Sequence, residues 1–216
     1  YAEAHSNLGV TLQELGRLDE AEASYEQAII HNPGFSEGYF NLGCILQMLG
    51  DLNRAAENYK QAVSSRSDYA EAHYALANVL RLQGRKSDAE ASYKKALVAR
   101  PDFVMAENDL GALLTGLGRL VEAEQHCRRA VASKPDYVEA HNNLGRVLDE
   151  LGRSKEAEES FRAAIALRAA FSQPRANLGA LLIRLGRVTE GLKESAAASG
   201  VIVFHAQRGL RIRGGC

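Results

Sequence analysis

Three histidines recur at an even spacing, His5, His73 and His141. Neutral imidazole is a common metal ligand, so a repeated histidine raises the question of a metal site. The surroundings argue against one. Each histidine stands at the same place in a repeated helical stretch, two repeats from the next. Packed helices lie about 8–10 Å apart, which sets these rings roughly 20 Å from one another. A zinc ion with bonds of about 2 Å cannot bridge that gap. The three cysteines, Cys44, Cys127 and Cys216, are far apart, odd in number and without a CxxC pair. That pattern suits unpaired thiols in a reducing compartment, and the expected location is cytoplasmic. The adjacent carboxylates Asp19-Glu20 and Asp149-Glu150 fall on helix surfaces, and neither a phosphate-binding loop nor a dinucleotide fingerprint occurs. No catalytic residue, metal or cofactor is expected, and the chain is not expected to be an enzyme. Twenty-six basic side chains against 27 acidic ones leave a net charge of -1, so nothing favours nucleic acid or a membrane surface as partner. No apolar run approaches the roughly 18 residues of a membrane span. The chain begins with Tyr1 rather than Met, so the true N-terminus and any targeting signal are expected upstream.

The chemistry that does repeat is an amide. Asn7, Asn41, Asn143 and Asn177 occupy one slot of a 34-residue period, with Ala75 and Asp109 in the two remaining slots. A carboxamide offers both a donor and an acceptor, so a column of them could pair with a peptide backbone without reading its sequence. Asparagine is a mediocre helix former, so its recurrence on a helix needs a reason.

The elements that would carry this column follow from the same period. With Ala2 as position 1, the repeats are 2–35, 36–69, 70–103, 104–137, 138–171 and 172–205. Position 15 is always glycine, at 16, 50, 84, 118, 152 and 186, and follows an apolar-periodic run. It reads as a helix end in the left-handed conformation. Before it, leucines at positions 7 and 11, such as Leu42 and Leu46, make one helical face; this is helix A. After it, alanine at 20 and 27 with an aromatic at 24, as in Ala21, Tyr25 and Ala28, defines helix B. Small residues at 8, 20 and 27 let the helix axes approach closely. Asp68 with Glu71, Asp136 with Glu139, and Ser87 with Glu90 have capping-box spacing, and Pro33, Pro101 and Pro135 punctuate the ends of helix B.

This pattern resembles the tetratricopeptide repeat, with Leu-Gly at 7–8, Ala at 20, an aromatic at 24, Ala at 27 and Pro at 32. The resemblance covers residues 2 to about 199 in six copies, although the aromatic near position 4 is mostly replaced by His5, His73, Glu107, His141 and Arg175. It implies an all-α, right-handed α-solenoid or superhelix of six helix-turn-helix repeats. Repeat six departs most, with Gly191 at position 20 and Ser195 at 24, and is read as the degraded end of the array in residues 1–199. Residues 200–216 form a separate tail, in which 201–204 and 210–213 suggest a β-hairpin or a plug on the last repeat. No polar capping helix follows repeat six, and Tyr1 fills the position-34 slot, so the array is expected to continue upstream.

In the tetratricopeptide family the A helices line a concave groove, with positions 2, 5, 6, 9, 12 and 13 pointing into it. The asparagine column looks like the ladder in the tetratricopeptide superhelix of O-linked N-acetylglucosamine transferases. On that resemblance the groove residues are Asn7, Asn41, Asp109, Asn143 and Asn177, with Phe40, Tyr74, Asn78, Arg81, Asn108, Asn142 and Arg146 supplying side-chain selectivity. Lysine is missing from position 5, where the chaperone-tail clamp of some relatives requires it. The expected function is a protein-interaction scaffold binding an extended peptide or partner segment. The alternatives are the recruiting arm of a larger enzyme, such as a glycosyltransferase, and a homo-oligomerising module joined through the array ends or the C-terminal tail.

Overall fold

The computed structural model describes residues 1–199, which hold twelve α-helices and no strand. Residues 1–119 form one compact unit and the chain from Leu120 onward another. The first unit contains α1 (Ala2–Glu14), α2 (Leu18–His31), α3 (Ser36–Met48), α4 (Leu52–Ser65), α5 (Ala70–Leu82), α6 (Lys86–Ala99) and α7 (Val104–Thr115). The second contains α8 (Leu120–Ser133), α9 (Val138–Glu150), α10 (Ser154–Leu167), α11 (Ser172–Arg184) and α12 (Val188–Ser199). Within each unit every helix packs on its neighbours in the chain, and successive A helices also touch, α1 with α3, α3 with α5, and α9 with α11. The expected tail hairpin lies outside the described residues.

The A-to-B turn is set by the position-15 glycine. All six adopt φ between 73° and 85°, a region open to glycine and strained for other residues. In the first repeat the Gly16 N–H reaches the Gln13 carbonyl at 3.0 Å and the Arg17 N–H reaches the Leu12 carbonyl at 2.9 Å. This crossed pair satisfies two carbonyls at the helix end. The same pair recurs at Gly50, Gly84, Gly118, Gly152 and Gly186.

Two alanine columns and one ring hold the helix pairs together. Position 20 (Ala21, Ala55, Ala89, Ala123, Ala157) and position 27 (Ala28, Ala62, Ala96, Ala130, Ala164) are fully buried. In repeats one, two and five the aromatic at 24 packs on helix A against the glycine at position 8, and in repeat three position 8 is Ala77. A Cβ on Gly43 would come within 2.6 Å of the Tyr59 ring, and one on Gly145 within 2.6 Å of Phe161. Repeat six reaches the same end by other means. A Cβ on Gly191 would meet the Gly179 carbonyl at 2.7 Å, so two glycines and Ser195 replace the ring with a closer helix approach. The helix pair of this repeat, which departs most from the sequence pattern, is closely packed at these glycines.

The capping boxes are also corrected. Helices α5 and α9 start after Tyr69 and Tyr137, with no side-chain cap, and the N-cap of α6 is Arg85. Among the described residues only Asp51 caps in this way, accepting from the Arg54 N–H at 3.0 Å. The glutamates have stronger partners. Glu37 takes Arg66 at 2.7 Å, Glu71 takes Arg100, and Glu139 takes Arg168 at 3.0 Å, so position 2 is clamped to position 31 of its own repeat. Arg66 also lies over the Tyr69 ring at 3.6 Å, a cation–π contact. Arginine at position 16 instead joins repeats: Arg119 reaches Glu90 at 2.7 Å, Arg153 reaches Glu124 at 2.6 Å and Arg187 reaches Glu158 at 2.8 Å.

Two predictions follow from this packing. Gly145→Ala is expected to lower stability by about 1–3 kcal/mol through overpacking against Phe161, and Gly152→Ala by about 1–2 kcal/mol through its left-handed φ. Urea midpoints would show both, and an unchanged midpoint for Gly145→Ala would remove the ring-on-glycine contact from the account. The second concerns acid. Hydrogen bonds from Lys94 and Arg119 hold Glu90 below the usual glutamate pKa. Burial works to raise Glu124, but Arg128 and Arg153 pull it lower on balance. Both carboxylates bind protons more weakly folded than unfolded. Their stabilisation is therefore present above about pH 4.3, the ordinary glutamate value, and is lost as pH falls through the lower folded-state values. Melting followed by circular dichroism should show this loss, and Glu90→Gln should flatten it; identical pH profiles for the two proteins would contradict the assignment.

Candidate functional site

The position-4 side chains are structural. The Nε2 of His73 lies 2.9 Å from the Ser67 carbonyl, and that of His141 lies 2.8 Å from the Pro135 carbonyl. A carbonyl can only accept, so Nε2 carries the proton in each. Arg175 does the same, its Nε donating to the Ala169 carbonyl at 3.3 Å. Each of these three donors ties helix A to the loop before it, whereas His5 stacks on His31 at 5.2 Å. Burial holds His73 below the ordinary histidine pKa, and Lys95 adds to the effect. Among the described residues no cluster of three metal-ligating side chains occurs.

The column at position 6 is accessible. Asn7 is exposed on α1, and Asn41, Asp109, Asn143 and Asn177 are half-buried on α3, α7, α9 and α11. Ala75 on α5 fills the same register. The carboxamides of Asn7 and Asn41 have no hydrogen-bond partner among the described residues, and both sit in the first unit on A helices that touch. Asp109 accepts from the Tyr74 hydroxyl at 2.7 Å and from Asn108 Nδ2 at 2.9 Å. Asn177 Nδ2 donates to Asn142 Oδ1 at 2.8 Å. Position 5 of one repeat thus bonds position 6 of the next. Between repeats two and three the same slots hold Phe40 and Ala75, neither with a hydrogen-bonding side chain.

Position 5 is consequently not the row of free groove side chains that the family resemblance suggests. Asn108 and Asn142 are 3% and 6% exposed; the Asn142 amide accepts the bond from Asn177 in the next repeat, and the Asn108 amide donates to its neighbour Asp109. Phe40 and Tyr74 are half-buried: Phe40 packs on Tyr59 and Tyr69 with ring centroids 5.8 and 5.1 Å apart, and Tyr74 on Tyr93 and Phe103 at 5.9 and 5.0 Å. The residue faces helix B and the closing loop of its own repeat, so packing claims it first. Arg81 and Arg146 are exposed. Asn78 is half-buried and accepts from the Tyr93 hydroxyl at 2.6 Å.

A second polar row went unread in the sequence. The position-24 tyrosine hydroxyls cross beneath helix A to polar groups at positions 9 and 12: Tyr25 to Gln13 at 3.3 Å, Tyr59 to Gln47 at 3.0 Å and Tyr93 to Asn78. The signal was the choice of Tyr over Phe in three consecutive repeats, because a buried phenol needs a partner. Burial and the Asp109 charge push Tyr93 up to about 12, with Arg81 working the other way. Burial also raises Tyr59 and Tyr74, the latter reinforced by Asp109. These phenols stay protonated at neutral pH and act as hydrogen-bond donors.

Comparison with known proteins fits this geometry. Tetratricopeptide-repeat profiles match residues 2–35, 40–103, 102–170 and 142–199. The chain belongs to the tetratricopeptide repeat family. No curated protein sequence matches it significantly. Solved tetratricopeptide folds do. PilW, described as a widely conserved type IV pilus biogenesis factor, is 22% identical over 92% of both chains, with a TM-score of 0.79. YrrB, described as a TPR protein with an unusual peptide-binding site, is 24% identical over 82% of this chain and 91% of its own, with a TM-score of 0.68. MamA from Desulfovibrio magneticus RS-1 is 20% identical over 77% of this chain and 94% of its own, with a TM-score of 0.70. At these identities the likeness is one of fold. Among the described residues no helix is long and apolar enough to cross a membrane.

The inter-repeat bond is open to test within the tetratricopeptide frame. Tyr74→Phe should destabilise the protein by about 1–2 kcal/mol at neutral pH, because the Asp109 carboxylate loses a donor. Tyr74→Phe in an Asp109→Ala background should cost almost nothing more. Additive losses in this double-mutant cycle, read by urea denaturation, would dissolve the coupling.

Proposed function

We propose that the chain is a protein-interaction module that holds an extended peptide segment of a partner against the exposed side of its A helices. The observation that carries this reading is the pair of unpartnered carboxamides on Asn7 and Asn41, one repeat apart on touching helices. Adjacent helices lie about 8–10 Å apart, and an extended chain advances about 3.3 Å per residue. Successive amides therefore match roughly every third peptide unit, and each can donate to a carbonyl and accept from an N–H. Asp109 in the same unit, and Asn143 and Asn177 in the other, continue the register, each unit presenting its own part. Asn78, Arg81 and Arg146 supply selectivity at its margin. Asn108 and Asn142 act indirectly by fixing position-6 side chains. The peptide-binding site named for YrrB, which shares the fold, supports the reading.

Asn7→Ala combined with Asn41→Ala is expected to weaken peptide binding about tenfold or more, since each backbone hydrogen bond contributes about 1 kcal/mol. The melting temperature should not move, because neither amide bonds to the protein. The measurement is binding to an immobilised array of unstructured peptides, with circular dichroism on the same samples. Unchanged binding, or a large loss of stability, would sink the ladder.

A further inference from the structure

A different face of the first unit carries a second site. Between the B helices α4 and α6 runs a groove of about 840 Å³ whose floor is His73 and Leu76 of α5. Lys60 and Val63 stand on one wall and Lys95 and Val98 on the other. Asp68 is the one carboxylate in the lining. Neither Lys60 nor Lys95 makes a hydrogen bond or ion pair among the described residues, whereas neighbouring Lys94 is held by Glu90 at 2.7 Å. Val98 is 83% exposed at the rim. The floor is fixed, because His73 is tied to the Ser67 carbonyl, and burial beside Lys95 keeps its ring neutral.

The arrangement belongs to this step alone within the two units. One repeat earlier, the positions of Lys60 and Lys95 hold Glu26 and Gln61, and Arg54 closes onto Glu22 and Glu26. Between α8 and α10 they hold Arg128 and Ala163, with Arg128 engaged by Glu124 and Glu156. Between α10 and α12 they hold Arg162 and Ala197, with Arg162 engaged by Glu158. At the equivalent places Arg128 and Arg162 are matched by carboxylates of the same chain. Here two ammoniums flank an apolar trough and have none.

We propose that this groove binds an acidic segment of a partner protein, its carboxylates reaching Lys60 and Lys95 and its apolar side chains lying on Val63, Leu76 and Val98. Charge complementarity selects the acid, and the valines select a segment in which acidic and apolar residues alternate. The site shares no residue with the position-6 column of the A helices.

The probe is a fluorescein-labelled peptide alternating leucine and glutamate, followed by fluorescence anisotropy. It should bind, and replacing its glutamates by glutamines should weaken it about tenfold or more, the scale of charge-assisted contacts. Lys60→Glu with Lys95→Glu should weaken it at least as much with an unchanged circular dichroism melt, and Lys60→Gln with Lys95→Gln serves if the charge reversal perturbs folding. Asn7→Ala with Asn41→Ala should leave this peptide's affinity unchanged. No binding, equal binding of the glutamine peptide, indifference to the lysine variants, or loss in the asparagine variant would each overturn the assignment.

Discussion

In repeats one, two and five the helix pair depends on one contact, the ring at position 24 lying against helix A where the glycine at position 8 leaves no room for a Cβ. The approach that glycine allows there brings α3 against α4, and α9 against α10, closely enough to bury the alanine columns completely. Where the ring is a phenol, its hydroxyl arrives among the polar groups of positions 9 and 12. A packing requirement of the core thereby fixes the orientation of side chains on the accessible face. Rigidity at that face lowers the entropic cost of ordering when a ligand arrives.

Repeat six meets the same requirement differently. Its ring is gone, Ser195 stands in its place, and Gly191 faces Gly179. Large residue against glycine has become glycine against glycine, and the helices close the gap by moving together. The substitutions at positions 20 and 24 make sense only as a pair, and each read alone looks like a loss.

How much of this could be read from the chain depends on whether a feature recurs. Leu42 and Leu46, Gly50 and Ala62 recur in every copy and Ala55 in all but the last, and their period made the fold plain. The position-6 column was legible for the same reason. The caps were misread because Asp68 and Glu71 have the right spacing for a local bond, while Arg100 offers Glu71 a stronger one 29 residues on. Asn108 and Asn142 were misplaced because position 5 changes its residue from repeat to repeat, and its partner is Asp109 beside it in one case and Asn177 of the next repeat in the other. The lysine groove gave no periodic signal at all: it arises from a break in the charge pattern, visible only once α4 and α6 are side by side.

The bond from position 5 to position 6 of the following repeat bears on how such an array can change over time. The pairs are matched in kind, Tyr74 with Asp109 and Asn142 with Asn177 being polar, and Phe40 with Ala75 apolar. A tandem copy of repeat two would set Phe40 beside an asparagine, an apolar ring against an amide. A tandem copy of repeat four would set Asn108 beside an aspartate and keep a donor facing an acceptor. The repeats look interchangeable by their leucines and glycines, yet each carries half of a junction that only certain neighbours complete. The order of the copies is part of the information the chain stores, and duplication or recombination can rewrite it only along seams where the two halves still agree.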